Sequence, residues 1–231
     1  KELKTEIMKV ELPERFRIVK EHLSKILQKR VEELKNRGLL YTNRPTKLTF
    51  IELQSRLIKI SSSGNKHFHI LKGISLIAEI LKIQHALELL ETQSIYSLQR
   101  YIEGLEKQKK AGKSKAISNL FNNVDFQLAL EKIKKLVERG EEHPKMKILL
   151  KLIKKMIDEK GRRLIIFAQY RDTVEKINKE LTKLGIKSKV FIGQRGDKGL
   201  TQKEQQAIIK EFSEGKINCL VSTSIGEEGL D

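Results

Sequence analysis

The sequence predicts a mixed fold of α plus α/β, an all-helical bundle followed by a partial parallel α/β layer. Two observations predict it. Over the first two-thirds of the 231 residues, apolar side chains recur at helical spacing. After Gly161 they condense into short continuous runs separated by amphipathic stretches, the pattern of strands buried in a parallel sheet. The expected division is 1–142 for the bundle and 143–231 for the α/β part.

Pro13 opens the first helix. Phe16, Val19, Leu23, Ile26, Leu27, Val31 and Leu34 fall on its apolar side, and Gly38 ends it. Asn43 and Pro45 mark a loop over Tyr41–Thr46, and a short helix follows over Leu48–Ile60 until Ser61-Ser-Ser-Gly64 breaks it. His67–Glu91 carries apolar residues around most of its circumference, so it is expected as a central helix surrounded by others. Further helices are expected at Ile95–Lys109, Lys115–Phe121, Phe126–Arg139 and Lys145–Glu159.

Arg163–Ala168 is the first strand, an apolar run of the kind a parallel sheet buries. Val174, Ile177, Leu181 and Leu184 stripe the next helix, and Gly185 caps it. Lys189–Ile192 is the second strand. Thr201 and Glu204 form a capping box before a helix that carries Ile208 and Phe212 and stops at Gly215. Ile217–Val221 is the third strand. Short links between alternating strands and helices require crossovers, which place the working loops at the strand C-terminal ends.

The formal net charge is +17, which favours polyanionic partners. Residues 1–150 hold 30 basic and 18 acidic side chains, so the excess lies mainly in the helical part. A surface rich in both lysine and glutamate is the alternative reading, but it predicts near balance. No run approaches ~18 apolar residues, and the N-terminus lacks the features of a signal peptide. Cys219 is the single cysteine and sits in an apolar run, which fits a buried thiol in an intracellular protein.

Thr223-Ser-Ile-Gly-Glu-Glu-Gly-Leu-Asp231 comes directly after the third strand. It offers hydroxyls at Thr223 and Ser224 and glycines at 226 and 229, where a backbone can approach a phosphate or ribose. A plain glycine turn is the other reading. Lys107-Gln-Lys-Lys-Ala-Gly-Lys-Ser-Lys115 has five lysines in nine residues, with Gly112 as a helix stop. Such compact charges suit phosphate contact without base reading, although a solvated run is the commoner fate of such a segment. Arg44, Lys47, Arg56, Lys59, Lys66 and Lys72 add charge around the helix breaks. His67 and His69 have no neighbouring cysteine or carboxylate to complete a metal site, and His22, His85 and His143 are expected to pack or cap.

Four segments occur in one order: Phe167-Ala-Gln-Tyr-Arg-Asp-Thr173, Gly193-Gln194, Gly199-Leu-Thr-Gln-Lys-Glu-Gln205 and Thr223–Asp231. Together they resemble the second motor lobe of the archaeal Hef helicases and their eukaryotic relatives, the Fanconi anaemia M helicases. The RIG-I-like RNA helicases are a more distant likeness. The helical part is similar to the same family at Leu81-Lys-Ile-Gln-His-Ala-Leu-Glu-Leu-Leu-Glu-Thr-Gln93, Lys113-Ser-Lys115 and His143-Pro-Lys-Met146.

The resemblance implies an all-helical insert followed by part of a RecA-like, parallel three-layer α/β lobe of a superfamily 2 DNA helicase. Phe167–Thr173 would be its motif IV and Thr223–Asp231 its motif V. Nucleic acid would then meet Tyr170, Arg171, Gly193, Gln194, Thr223 and Ser224. Lys107, Lys109, Lys110, Lys113 and Lys115 would grip DNA phosphates from the insert. Nucleotide would meet Gly226, Glu227, Gly229 and Asp231. For Arg171 an ion pair with Glu175 stands beside the phosphate reading. Gln202 and Gln205 are expected to serve helix packing and capping.

The chain contains no Gly-x-x-x-x-Gly-Lys-Ser/Thr loop, no Asp-Glu-x-His box and no arginine-rich motif VI. These 231 residues alone are therefore expected not to hydrolyse ATP, and ATP with Mg2+ is assigned to the full-length protein. The other lobe, and in some family members a C-terminal nuclease domain, would be its companions. One departure is the stretch from Gly193-Gln194 to Gly199, shorter than the family's, which leaves the contacts of loop 194–199 open.

Overall fold

The computed structural model describes residues 7–64, 67–112, 114–141, 143–193 and 199–223. The chain forms two compact units, Glu11–Glu141 and Glu142–Asp231 together with Lys1–Val10.

The first unit holds six helices among its described residues: α1 (Glu14–Asn36), α2 (Lys47–Ser62), α3 (Phe68–Thr92), α4 (Ile95–Lys110), α5 (Lys115–Phe121) and α6 (Val124–Glu138). Their ends obey local chemistry. Gly38 takes φ 65° just beyond α1, where a side chain would be strained. The Leu39 N–H reaches back to the Leu34 carbonyl at 3.0 Å. Thr46 caps α2 through a reciprocal box with Thr49, and Ser94, Ser114 and Asn123 cap α4, α5 and α6.

α3 lies against α1, α2, α4 and α5, as its all-round apolar sequence predicts. Its 25 residues make a rod of ~37 Å. Leu76, Ile77 and Ile80 join Leu34, Leu40, Phe50, Leu53 and Leu57 in a core shared by α1, α2 and α3. α6 packs on α1 and α4, and Phe121 meets Phe126 edge to face at 5.2 Å. Glu79 is the exception inside this apolar helix, a carboxylate with no solvent exposure. Arg30 Nε donates to it at 2.6 Å and Asn119 Nδ2 at 2.9 Å.

The second unit contains α7 (Pro144–Lys160), β1 (Leu164–Ala168), α8 (Arg171–Lys183), β2 (Ser188–Phe191), α9 (Gln202–Ser213) and β3 (Cys219–Thr223). The three strands form one parallel sheet in the order β1-β3-β2. The β1-to-β2 crossover passes over the place that β3 fills, and the β2-to-β3 crossover returns. Crossovers of one hand that run in opposite directions put their helices on opposite faces. The packing agrees. Val174, Ile177 and Leu181 of α8, with Met146 and Ile153 of α7, bury Cys219 and Val221 on one face. Ile208 of α9, with Ile217, buries Phe191 and Leu220 on the other.

One difference from the sequence expectation concerns β1. Ile165 and Phe167 remain 42% and 47% exposed, although the run reads as a buried strand. β1 is an edge strand, and the α9 cluster reaches only the β2 and β3 side chains of that face. Among the described residues no helix is long and apolar enough to cross a membrane.

Cys219 has no solvent exposure, and burial pushes its thiol up to about 12. It is expected to resist iodoacetamide near pH 8 in the folded chain and to react once urea unfolds it, since the thiolate is the nucleophile. Mass spectrometry reads the difference; equal rates would contradict this packing. The same shift makes stability depend on pH. Below the ordinary thiol value of 9.0 both states keep the proton. As the pH rises from there towards about 12 only the unfolded chain ionises, so stability falls.

Candidate nucleic-acid interface

The register brings the C-terminal ends of the strands to one edge. Ala168 stands opposite Thr223, and Phe191 opposite Ser222. The strand-end segments therefore gather there: Gln169 and Tyr170 after β1, Ile192 and Gly193 after β2, and Thr223 at the end of β3. In parallel α/β sheets this is the edge where ligands bind.

Tyr170 is the residue before α8, and Arg171 is the first residue of that helix, three positions before Val174, where the apolar stripe begins. Both are half-buried. Arg171 Nη2 donates to the Gly193 carbonyl at 3.3 Å, so two expected site residues 22 positions apart meet. The hydrogen bond points the guanidinium across the edge from the β1 end to the β2 end. Thr223 is buried, with 7% of its surface reaching solvent, and Ser222 has none.

Gln205 is a positioning residue, a role beyond the packing and capping that the sequence suggests for it. Its Nε2 donates to the Ile192 carbonyl at 3.0 Å and so holds the backbone next to Gly193. A signal was present: Gln205 lies three residues before buried Ile208, on the sheet-facing stripe of α9. The capping box is present as expected. Thr201 N–H donates to Glu204 Oε2 at 2.7 Å, and Glu204 N–H donates to Thr201 Oγ1 at 3.3 Å. Hydrogen bonds from Thr201, the hydroxyl first, lower the Glu204 carboxyl below its usual range.

In the helical unit, Lys107, Lys109 and Lys110 form the last turn of α4. Gly112 turns the chain at φ 64°, and Lys115 begins α5 after the Ser114 cap. All four lysines are exposed, and Lys109 Nζ lies 5.0 Å from the centre of the Phe121 ring. Lysines in a last helical turn also suit the helix dipole. A second basic groove of about 230 Å³ was not visible in the sequence. Arg15, Lys132, Lys135 and Arg139 surround Ile18 and Leu136 there, brought together from α1 and α6. Glu141 pairs with Arg15 and Arg139, and Glu131 with Lys135, so part of that charge is compensated internally.

His143 caps α7, accepting from the Lys145 N–H at 3.1 Å. His22 lies 3.1 Å from Asp125, and His85 meets Tyr101 edge to face. Among the described residues no group of three or more His, Cys, Asp or Glu could hold a metal ion. Lys113, Gln194, Ser224, Gly226, Glu227, Gly229 and Asp231 lie outside the described residues, as does most of loop 194–199.

Two protein families match the chain in order. Residues 15–143 match "Putative ATP-dependent RNA helicase, helical bundle", and residues 144–231 match "Helicase conserved C-terminal domain". A "Putative ATP-dependent RNA helicase" of Methanocaldococcus jannaschii is 36% identical over 97% of this chain and 28% of its own length. The "ATP-dependent DNA helicase mph1" of Sclerotinia sclerotiorum is 30% identical over 93% of this chain and 19% of its own length. The solved helicase domain of Pyrococcus furiosus Hef superposes with a TM-score of 0.85 and 35% identity, over all of this chain and 48% of that one. The chain thus spans 28% or less of the length of these two curated relatives.

Proposed function

This chain belongs to the Hef-like superfamily 2 helicase family, carrying its helical bundle and its helicase conserved C-terminal domain in that order, and from that premise we propose that it is part of an ATP-dependent, structure-specific DNA helicase acting on forked or branched DNA. In the full-length protein ATP and Mg2+ bind between this lobe and its companion, and closure moves the DNA-gripping edge. Residues 1–142 act as the insert and grip duplex phosphates; residues 143–231 are the first part of the second lobe. The protein works inside the cell on the nucleoid, without a membrane; in some family members a C-terminal nuclease domain is a further companion.

The observation that carries this reading is the shared edge of the sheet, where Arg171 reaches the Gly193 carbonyl beside the ends of all three strands. A guanidinium there can fork onto a strand phosphate. The +17 net charge, most of it in the helical part, supports a polyanionic partner. The expected nucleotide contacts at Gly226, Glu227, Gly229 and Asp231 belong to the same reading.

Titrating the chain with forked DNA at several salt concentrations tests it. Log affinity is expected to fall with log salt at roughly −0.9 per neutralised phosphate. Failure to bind at low salt would refute the grip and favour a scaffold whose helical surface binds a protein. The names of the M. jannaschii relative and of the bundle family favour a second substrate, RNA. Competition between forked DNA and double-stranded RNA decides: stronger competition by RNA would reverse the substrate assignment.

A further inference from the structure

Beside the α1–α2 loop lies an open pocket of about 260 Å³. Leu39, Leu40 and Leu53 line it from below, and Tyr41, Glu52 and Arg56 stand around it. Leu40 and Leu53 are buried and held in place by the core of α1, α2 and α3, while Thr42 and Thr49 add polar groups to the lining. Tyr41 is 84% exposed, so a ring with an apolar body and a polar tip stands open to solvent. Its hydroxyl is near Gly38: a β-carbon added there would lie 3.7 Å from it.

The charges around this pocket have a pattern. Glu52, Arg56 and Lys59 succeed one another at helical spacing along one side of α2, and Arg44 stands in the loop before it. Among the described residues no ion pair engages Arg44, Glu52, Arg56 or Lys59. The leucine side chains and the Glu52 carboxylate disfavour a phosphate inside the pocket. They suit a flat heterocycle that stacks on an aromatic ring and presents N–H groups to a carboxylate and acceptors to a guanidinium. Arg44 and Lys59, three positions along the chain from the lining residues Tyr41 and Arg56, add cations for the flanking phosphates. The space is too small for a duplex.

We infer that this pocket takes an unpaired nucleobase from a single-stranded arm, stacked on Tyr41 with its polar edge towards Glu52 and Arg56. The inference rests on the nucleic-acid reading above and adds to it a single-strand subsite on the helical unit. The unit then holds duplex through phosphates and an unwound arm through a base, an arrangement that favours forks over blunt duplex.

The test compares the 231-residue chain on three probes in fluorescence anisotropy. They are a fork with oligodeoxyadenylate arms, the same fork with abasic arms of equal charge, and a blunt duplex. Base-bearing arms are expected to bind roughly 5- to 150-fold tighter than abasic arms, the range of one aromatic–base stack. Tyr41→Ala removes that advantage and leaves the duplex affinity unchanged, whereas Tyr41→Phe keeps it. Abasic arms that bind as tightly as base-bearing ones would overturn the inference alone. So would a Tyr41→Ala chain with unaltered fork affinity, the result expected if the pocket holds a peptide instead. A chain that binds none of the three probes would overturn the inference together with the reading beneath it.

Discussion

Replacing Arg30 with alanine is expected to destabilise the helical unit by about 3–5 kcal/mol, the usual cost of breaking a buried ion pair from one side. Glu79 has no solvent exposure, while the Arg30 side chain keeps 20%. Removing the arginine leaves a carboxylate inside the bundle with Asn119 as its close remaining donor and Ser75 Oγ at 3.5 Å. Glu79→Gln should cost less, because the amide still accepts a hydrogen bond and Arg30 can turn its charge towards water. Joint replacement by Arg30→Met and Glu79→Leu should recover most of the loss, since apolar side chains of similar volume suit that interior. Urea melts monitored by helical circular dichroism read all four chains. Equal losses in Arg30→Ala and Glu79→Gln would contradict the assigned asymmetry.

Neutralising the α4–α5 corner is expected to have the largest effect on binding. Lys107, Lys109, Lys110 and Lys115 changed together to glutamine should weaken forked-DNA binding on the order of a hundredfold near 0.1 M salt. The salt slope should become shallower by roughly 0.9 for each phosphate no longer neutralised. The weakening should be the same for unrelated sequences, because these lysines meet phosphates and not base edges. Their other role predicts a different outcome. As the last turn of α4, three of them stabilise the helix dipole by about 0.3–1 kcal/mol each, and Lys109 covers Phe121. A chain that melts slightly earlier but binds DNA unchanged would confine the cluster to that structural role.

Helix ends were legible because they depend on neighbours in sequence. Gly38, Gly112, Gly161, Gly185 and Gly215 all take positive φ beyond their helices, and α5 spans the expected residues. The alternation of strand and helix after Gly161 likewise implied a parallel sheet, and the sheet is parallel. Strand order was not legible, because nothing local distinguishes an edge strand from a central one; hence the exposed Ile165 and Phe167. Glu79 belongs to the same class. Its partner is 49 positions away, and its own neighbours suggest only an interruption in an apolar helix. At the candidate edge, the residue types were readable from motif order. The meeting of Arg171 with Gly193, and the grip of Gln205 on Ile192, depend on how β1, β2 and α9 are placed.

Amide chemical-shift mapping of the 231-residue chain with a forked oligonucleotide tests most directly whether the strand-end edge is the working surface. The largest lobe shifts are expected at Tyr170, Arg171, Gly193 and Thr223, and should fade as salt rises. Binding that leaves those four amides unmoved while shifting the outer faces of α8 and α9 would contradict the account.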